Sequence, residues 1–358
     1  MTKRSRLAIV CLAVLTTAGC GRQDGALAPV KVGGKWGYID KTGKMVVQPQ
    51  YDNALPFSEG RGLVVIGDKY GFIDQTGRVV IKPQFPAPKE ELPFVGKVSF
   101  INIPDRRFHD GLAWVEIGGK VGYIDTSDKI SIQPRFDGGG QFREGLAVVT
   151  VGGKDGFIDT QGRIVIEPRF DFSLGGFSDG MAAVKVGKRW GAIDTKGKMA
   201  TKPRFRFPPL FTEGLASVDI GKKWGFIDRT GKVVIKPQYD FASYFQEGLA
   251  QTIINKKLSY IDRTGKTVFS NPSNKCSPFS EGLAAVVVDK KWGYMDKTGK
   301  IVIRPQFDNT DKWGFAFMRG DFSEGLAAVR VGDKWGFIDK TGKIVIQPQF
   351  EEAMPFSK

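Results

Sequence analysis

Apolar and polar positions alternate along the chain in short runs, and the runs repeat. In the last copy, Ala327, Val329 and Val331 alternate with the period of two expected of a strand with one buried face. Gly332-Asp333 ends that run with a dipeptide suited to a tight hairpin turn. The next run, Trp335-Gly336-Phe337-Ile338-Asp339, is aromatic and β-branched, as strands prefer. Lys340-Thr341-Gly342-Lys343 supplies a second turn, and Ile344-Val345-Ile346 a third strand. Pro348 has no N–H to donate, so it should end that strand or confine it to a sheet edge. Each unit thus offers about three short strands, too little surface to close a core alone, so neighbouring units must stack.

The unit recurs with centres at Trp36, Tyr70, Val121, Asp155, Trp190, Trp224, Leu258, Trp292 and Trp335, nine copies with a period of 34 residues. Insertions at about 86–107 and 309–321 interrupt the period. Four motifs keep a fixed order: Trp-Gly-Phe/Tyr-Ile-Asp, Thr-Gly-Lys, Pro-Gln-Phe and Phe-Ser-Glu-Gly-Leu-Ala. From Leu27 to Phe356 this resembles the WG-containing repeat family of bacteria. The resemblance implies an all-β array, often on exported proteins, with no activity common to the family. The expected fold is a tandem array of about nine three-stranded repeats over residues 27–358. An open β-solenoid or superhelix is favoured over a closed, propeller-like toroid, because the chain starts and stops at the same phase of the repeat and no strand is obviously split between the termini.

Several copies are degenerate. Val121, Asp155 and Leu258 replace the aromatic, Ser259 the glycine, Asp128 the turn glycine and Asn271 the proline. A ligand site needing all nine tryptophan positions is therefore excluded.

The N-terminus adds a destination. Lys3, Arg4 and Arg6 precede an apolar run from Leu7 to Leu15 that is too short to span a bilayer, the pattern of a signal peptide over residues 1–19. Thr17-Ala18-Gly19-Cys20 resembles the lipobox of bacterial lipoproteins, although Thr17 departs from its usual leucine. That resemblance implies diacylated Cys20 as the mature N-terminus, residues 20–26 as a short tether, and a cell-envelope protein on the periplasmic face or cell surface, anchored without a transmembrane helix. Secretion with ordinary cleavage is the alternative. The mature chain keeps one further cysteine, Cys276, so an internal disulfide is impossible.

Formal charge is +15, or +12 without the basic residues of segment 1–19, which favours anionic partners. The basic residues are spread through every repeat rather than gathered in a stripe, so nucleic acid is not an expected partner.

The inventory of chemical groups is thin. His109 is the only histidine, in a position that reads as a surface turn, so His-based triads and His/Cys zinc sites have no material, and no phosphate-binding loop motif is present. Asp40, Asp74, Asp125, Asp159, Asp194, Asp228, Asp262, Asp296 and Asp339 form a ladder, one per copy. Each is expected to cap the Asp-x-Thr-Gly turn that it opens, the alternative being calcium. Glu144, Glu213, Glu247, Glu281 and Glu324 precede a glycine between units, again read as turn residues. Trp36, Trp190, Trp224, Trp292 and Trp335 hold one phase and are expected in the core between units, the alternative being an exposed row on which sugar rings stack.

No catalytic residue, metal or cofactor is expected. Candidate binding residues lie in the insertions, where aromatics stand near basic groups: Phe94 and Phe100 in the first, and Trp313, Phe315, Phe317 and Arg319 in the second. The reading is a non-enzymatic binding or scaffold lipoprotein of the cell envelope whose partner is a protein or an anionic polymer such as peptidoglycan-associated material. Alternatives are a carbohydrate-active enzyme and a purely structural spacer.

Overall fold

The computed structural model describes residues 25–87, 105–270, 275–308 and 320–358. Segment 1–19, Cys20, Asn271, Phe94, Phe100, Trp313, Phe315, Phe317 and Arg319 lie outside the described residues. Within them the chain is all-β, with nine small antiparallel sheets, one for each copy of the unit.

Each sheet, or blade, is built on the hairpin that the alternation predicts. In the ninth, Leu326–Val331 pairs with Lys334–Asp339, and Ile344–Phe350 adds the edge strand. That edge strand runs past the proline rather than ending at it. Its register slips opposite the glycine, so that Trp335 faces Phe350 and Phe337 faces Ile346. The slip explains the glycine of the Trp-Gly pair. A Cβ on Gly336 would lie 2.5 Å from the Ile346 carbonyl oxygen and 2.7 Å from the Pro348 nitrogen, inside van der Waals contact with backbone that cannot swing away. Blade seven shows the converse. With Ser259 in the glycine's place, no slip intervenes there: Ser259 pairs directly with Ser270, their hydroxyls 3.0 Å apart.

Six sheets have a fourth strand that a three-stranded unit does not contain. It comes from the segment after Pro-Gln-Phe, which pairs with the hairpin of the next blade: Asn53–Ala54 joins Gly62–Ile66, for example. Applied to the C-terminus, the same rule closes the array. The last segment, Glu352–Ala353, pairs with the first strand, Ala28–Val32, placing Val30 opposite Ala353 and Lys31 opposite Glu352. The favoured open solenoid is therefore corrected to a closed ring of nine blades, the fold of a β-propeller.

Starting and stopping at one phase is what a nicked ring does. Leu27 and Ser357 exchange backbone bonds of 2.9 and 3.0 Å, the same pair that Leu326 and Ser323 exchange inside the ninth blade at 3.2 and 2.9 Å. The termini thus replace the Glu-Gly of one Phe-Ser-Glu-Gly-Leu motif, and Phe356 serves the first blade as Phe322 serves the ninth.

The core runs continuously between blades. Trp335 and Phe337 of the last blade share a cluster with Ala28, Val30 and Ile39 of the first, and Phe356 lies among them. Phe57, Phe108, Phe142, Phe177, Phe211, Phe245, Phe279, Phe322 and Phe356 are all buried, one per blade. Most meet an aromatic ring of the preceding blade, as Phe142 meets Tyr123 at 4.9 Å and Phe177 meets Phe157 at 4.9 Å. Burying each contributes about 2–3 kcal/mol.

Candidate interaction surface

The Asp ladder is structural. In Asp40, Oδ1 accepts from the Thr42 amide at 2.9 Å, the Thr42 hydroxyl at 2.6 Å and the Lys44 amide at 3.1 Å. Asp74, Asp228, Asp262, Asp296 and Asp339 repeat this set. Bonds from the turn hold these five carboxyls below the ordinary carboxylate range. Among the described residues no three potential metal ligands gather.

The Phe-Ser-Glu-Gly motif does more than turn the chain. Its acid sits at positive φ, as at Glu144 (54°) and Glu281 (50°), and its carboxylate accepts the glycine amide of the following blade. Glu59 takes Gly111, Asp110 takes Gly145, Glu144 takes Gly180, Asp179 takes Gly214, Glu213 takes Gly248, Glu247 takes Gly282 and Glu281 takes Gly325. The serine joins in, since the Ser323 hydroxyl donates to the Phe356 carbonyl across the ring closure at 2.8 Å. Periodicity showed these acids but not that each spans two blades, because the acceptor's partner lies a full repeat away.

A second circuit links the hairpin turns. Asp52 accepts from Lys35 of its own blade at 2.5 Å and from the Gly67 amide of the next at 2.7 Å. Asp137, Asp171 and Asp240 do likewise, as does Asp308 with Lys291 and Gly332. Glu351 closes this circuit onto the Gly33 and Gly34 amides.

Among these equivalent positions, Arg206 stands out as a charge reversal. Its Nε donates to Asp219 at 2.7 Å and its amide to the same carboxylate at 3.0 Å. Beside it, Phe207 is 49% exposed. Its ring lies 5.2 Å from Trp224, which in turn lies 5.4 Å from Phe241, itself 43% exposed. Trp224 is only partly covered, whereas Trp36, Trp190, Trp292 and Trp335 are buried. The expectation of a core tryptophan row therefore holds for four of these five residues. Among the described residues, an aromatic patch that does face solvent is centred on blade six, a location to which the repeat pattern gave no pointer. Its only sequence signal is the run Arg206-Phe207-Pro208-Pro209, where other units carry an acid.

His109 accompanies Arg107 on Asp105, with its Nε2 3.0 Å from the carboxylate. Asp105 is thereby held well below the ordinary carboxylate range despite its burial. Arg106 lies over the rings of Tyr70 and Trp114, 5.2 and 4.5 Å from their centroids, and donates to the Pro86 carbonyl. This clasp ties together the two ends of the first insertion. Cys276 is buried, and the Tyr260 hydroxyl donates to its sulfur at 3.0 Å.

The sequence signature described as "WG containing repeat" matches residues 36–70, 70–87, 122–154, 156–190, 190–224, 224–257, 259–292, 292–335 and 335–358. No curated protein matches the chain in sequence. Among solved structures, a eukaryotic initiation factor is similar at TM-score 0.53 and 13% identity, over 92% of this chain and 97% of that one. The likeness is one of fold. BamB from Moraxella catarrhalis is similar at TM-score 0.44 and 15% identity, over 68% and 86% of the two chains. The dihydro-heme d1 dehydrogenase NirN is similar at TM-score 0.48 and 12% identity, over 93% and 75%.

Proposed function

The chain belongs to the WG-containing repeat family, and on that premise we propose that it is a non-enzymatic binding scaffold of the cell envelope, lipid-anchored through Cys20, that offers a rigid ring to a protein partner. One observation carries the reading. The repeated acids and most of the repeated tryptophans are engaged in turns, links between blades and core, while the solvent-facing aromatics at Phe207, Trp224 and Phe241 stand where the pattern breaks. A group that every blade needs serves the ring; a cluster that one region alone carries is available for recognition. The net charge of +12 without segment 1–19 supports a second reading, retention on an anionic envelope polymer.

The test is a pull-down with the full chain in detergent, from solubilised envelope and from purified peptidoglycan, at low and high salt. One envelope protein retained at high salt supports the protein-binding reading. Retention on peptidoglycan alone, lost as salt screens the charge, favours the polymer reading. No retention on either contradicts both.

A further inference from the structure

Blades five to seven carry aromatics at one equivalent position, Phe172, Phe207 and Phe241, where other blades have Asn53, Gly138 and Glu352. Phe172 is partly covered and turned edge-on to Trp190 at 5.9 Å. Phe207, Trp224 and Phe241 instead form one packed knob, with interplanar angles of 31° and 59°. Rings packed at 5.2 and 5.4 Å cover part of one another's faces, so they make a poor platform for sugar rings, which need whole faces free. They suit an apolar side chain that inserts against their edges.

The surroundings set the charge of whatever docks. The charges adjoining these rings in sequence are Arg206, Lys222 and Lys223 against Asp219 and Asp240, the second of which bonds Lys223. One of those acids, Asp219, is buried and already bound to Arg206, whose guanidinium also lies 5.8 Å from the centre of the Phe207 ring. The exposed knob therefore has a rim of three cations against one exposed acid, Asp240, and the acid that other blades place at position 206 is replaced by Arg206.

We propose that Phe207, Trp224 and Phe241 dock an acidic, apolar-containing segment of a partner protein, with aliphatic or aromatic side chains meeting the knob and carboxylates meeting the rim. This rests on the protein-binding reading above and names its chemistry. Exposed aromatics beside Arg are the residues that dominate interface energies, and electrostatic complementarity selects the partner's sign.

The test uses the full chain in detergent and a fluorescently labelled peptide of alternating Glu and Leu around one Phe, read by anisotropy. Its counterpart has every Glu replaced by Lys. The acidic peptide should bind, the basic one should not, and Phe207→Ser or Phe241→Ser should weaken binding roughly tenfold or more. Both side chains are about half exposed, so the variants should retain the parent's thermal midpoint, which is checked alongside. Equal binding of the two peptides, no binding of the acidic one, or affinity unchanged in both variants would overturn the proposal. So would displacement of the acidic peptide by soluble peptidoglycan fragments, which would make the knob a glycan site. Repeating the envelope pull-down with Phe207→Ser separates the two levels. A protein retained equally by parent and variant leaves the binding reading standing and removes this face from it.

Discussion

Individual carboxylates in this ring answer pH in opposite directions. Asp240 is held below the ordinary carboxylate range, first by the bond from Lys223 and then by the Asn255 amide. A group whose folded pKa is lowered adds stability above its unfolded pKa and loses it as pH falls through the folded value. Asp240→Asn should therefore lower the urea midpoint at pH 7, with the effect shrinking towards pH 3. Asp321 is the reverse case. Burial pushes it up to about 7, against the pull of a bond from Ser277, and its charge is felt by Tyr244, Tyr260 and Tyr294. Its native form holds a proton between about pH 4 and 7 that the unfolded chain has released, so stability falls as pH rises through that window. Asp321→Asn should accordingly raise the midpoint at pH 8 and leave it nearly unchanged at pH 4. Equal effects of either variant at both of its pH values would refute these assignments.

At the scale of the strand, the glycine of the Trp-Gly pair and the proline strand opposite it are one device. A Cβ on Gly225 would lie 2.6 Å from the Ile235 carbonyl oxygen. Gly225→Ala should therefore cost about 1–3 kcal/mol, the range for overpacking, read as a lower urea midpoint. Ser259→Ala in blade seven, where Ser259 pairs directly with Ser270, should cost well under that. Equal losses at the two positions would contradict the account. The hairpins and turns were legible in the sequence because period two, Gly-Asp turns and Asp-x-Thr-Gly are local signals. The fourth strand was not, since a two-residue strand such as Asn53–Ala54 has no alternation to detect and pairs across a unit boundary. Pro348 lies in an edge strand, one of the two places its missing N–H allows, and the strand continues past it because, at a sheet edge and opposite a register slip, proline loses no ladder bond.

The whole molecule turns on how its ends meet. The family resemblance and the count of nine units point to the architecture, but the matching phase of the termini favours an open array when the sequence is taken alone. A Phe-Ser-Glu-Gly-Leu motif divided between Phe356-Ser357 and Leu27 is the legible sign of closure, and it becomes visible only when both termini are read as one motif. The binding aromatics were expected in the insertions at Phe94, Phe100, Trp313, Phe315, Phe317 and Arg319, which lie outside the described residues; the exposed cluster within them stands on blades six and seven. Export remains a proposal at this scale. Cys20→Ser should abolish incorporation of radiolabelled palmitate and shift the protein from the membrane to the soluble fraction, and undiminished labelling would remove the anchor from the account.

Closure itself is tested most directly by amide hydrogen exchange at the seam. Leu27 donates to Ser357, Glu351 to Lys31, Met354 to Pro29 and Ser357 to Leu27. In a closed ring these four amides should be protected to the same degree as Arg61, Asp52, Leu55 and Ser58, their counterparts between the first and second blades and within the second. Exchange of the seam amides at the rate of unstructured chain, with the counterparts still protected, would contradict the ring and restore the open array.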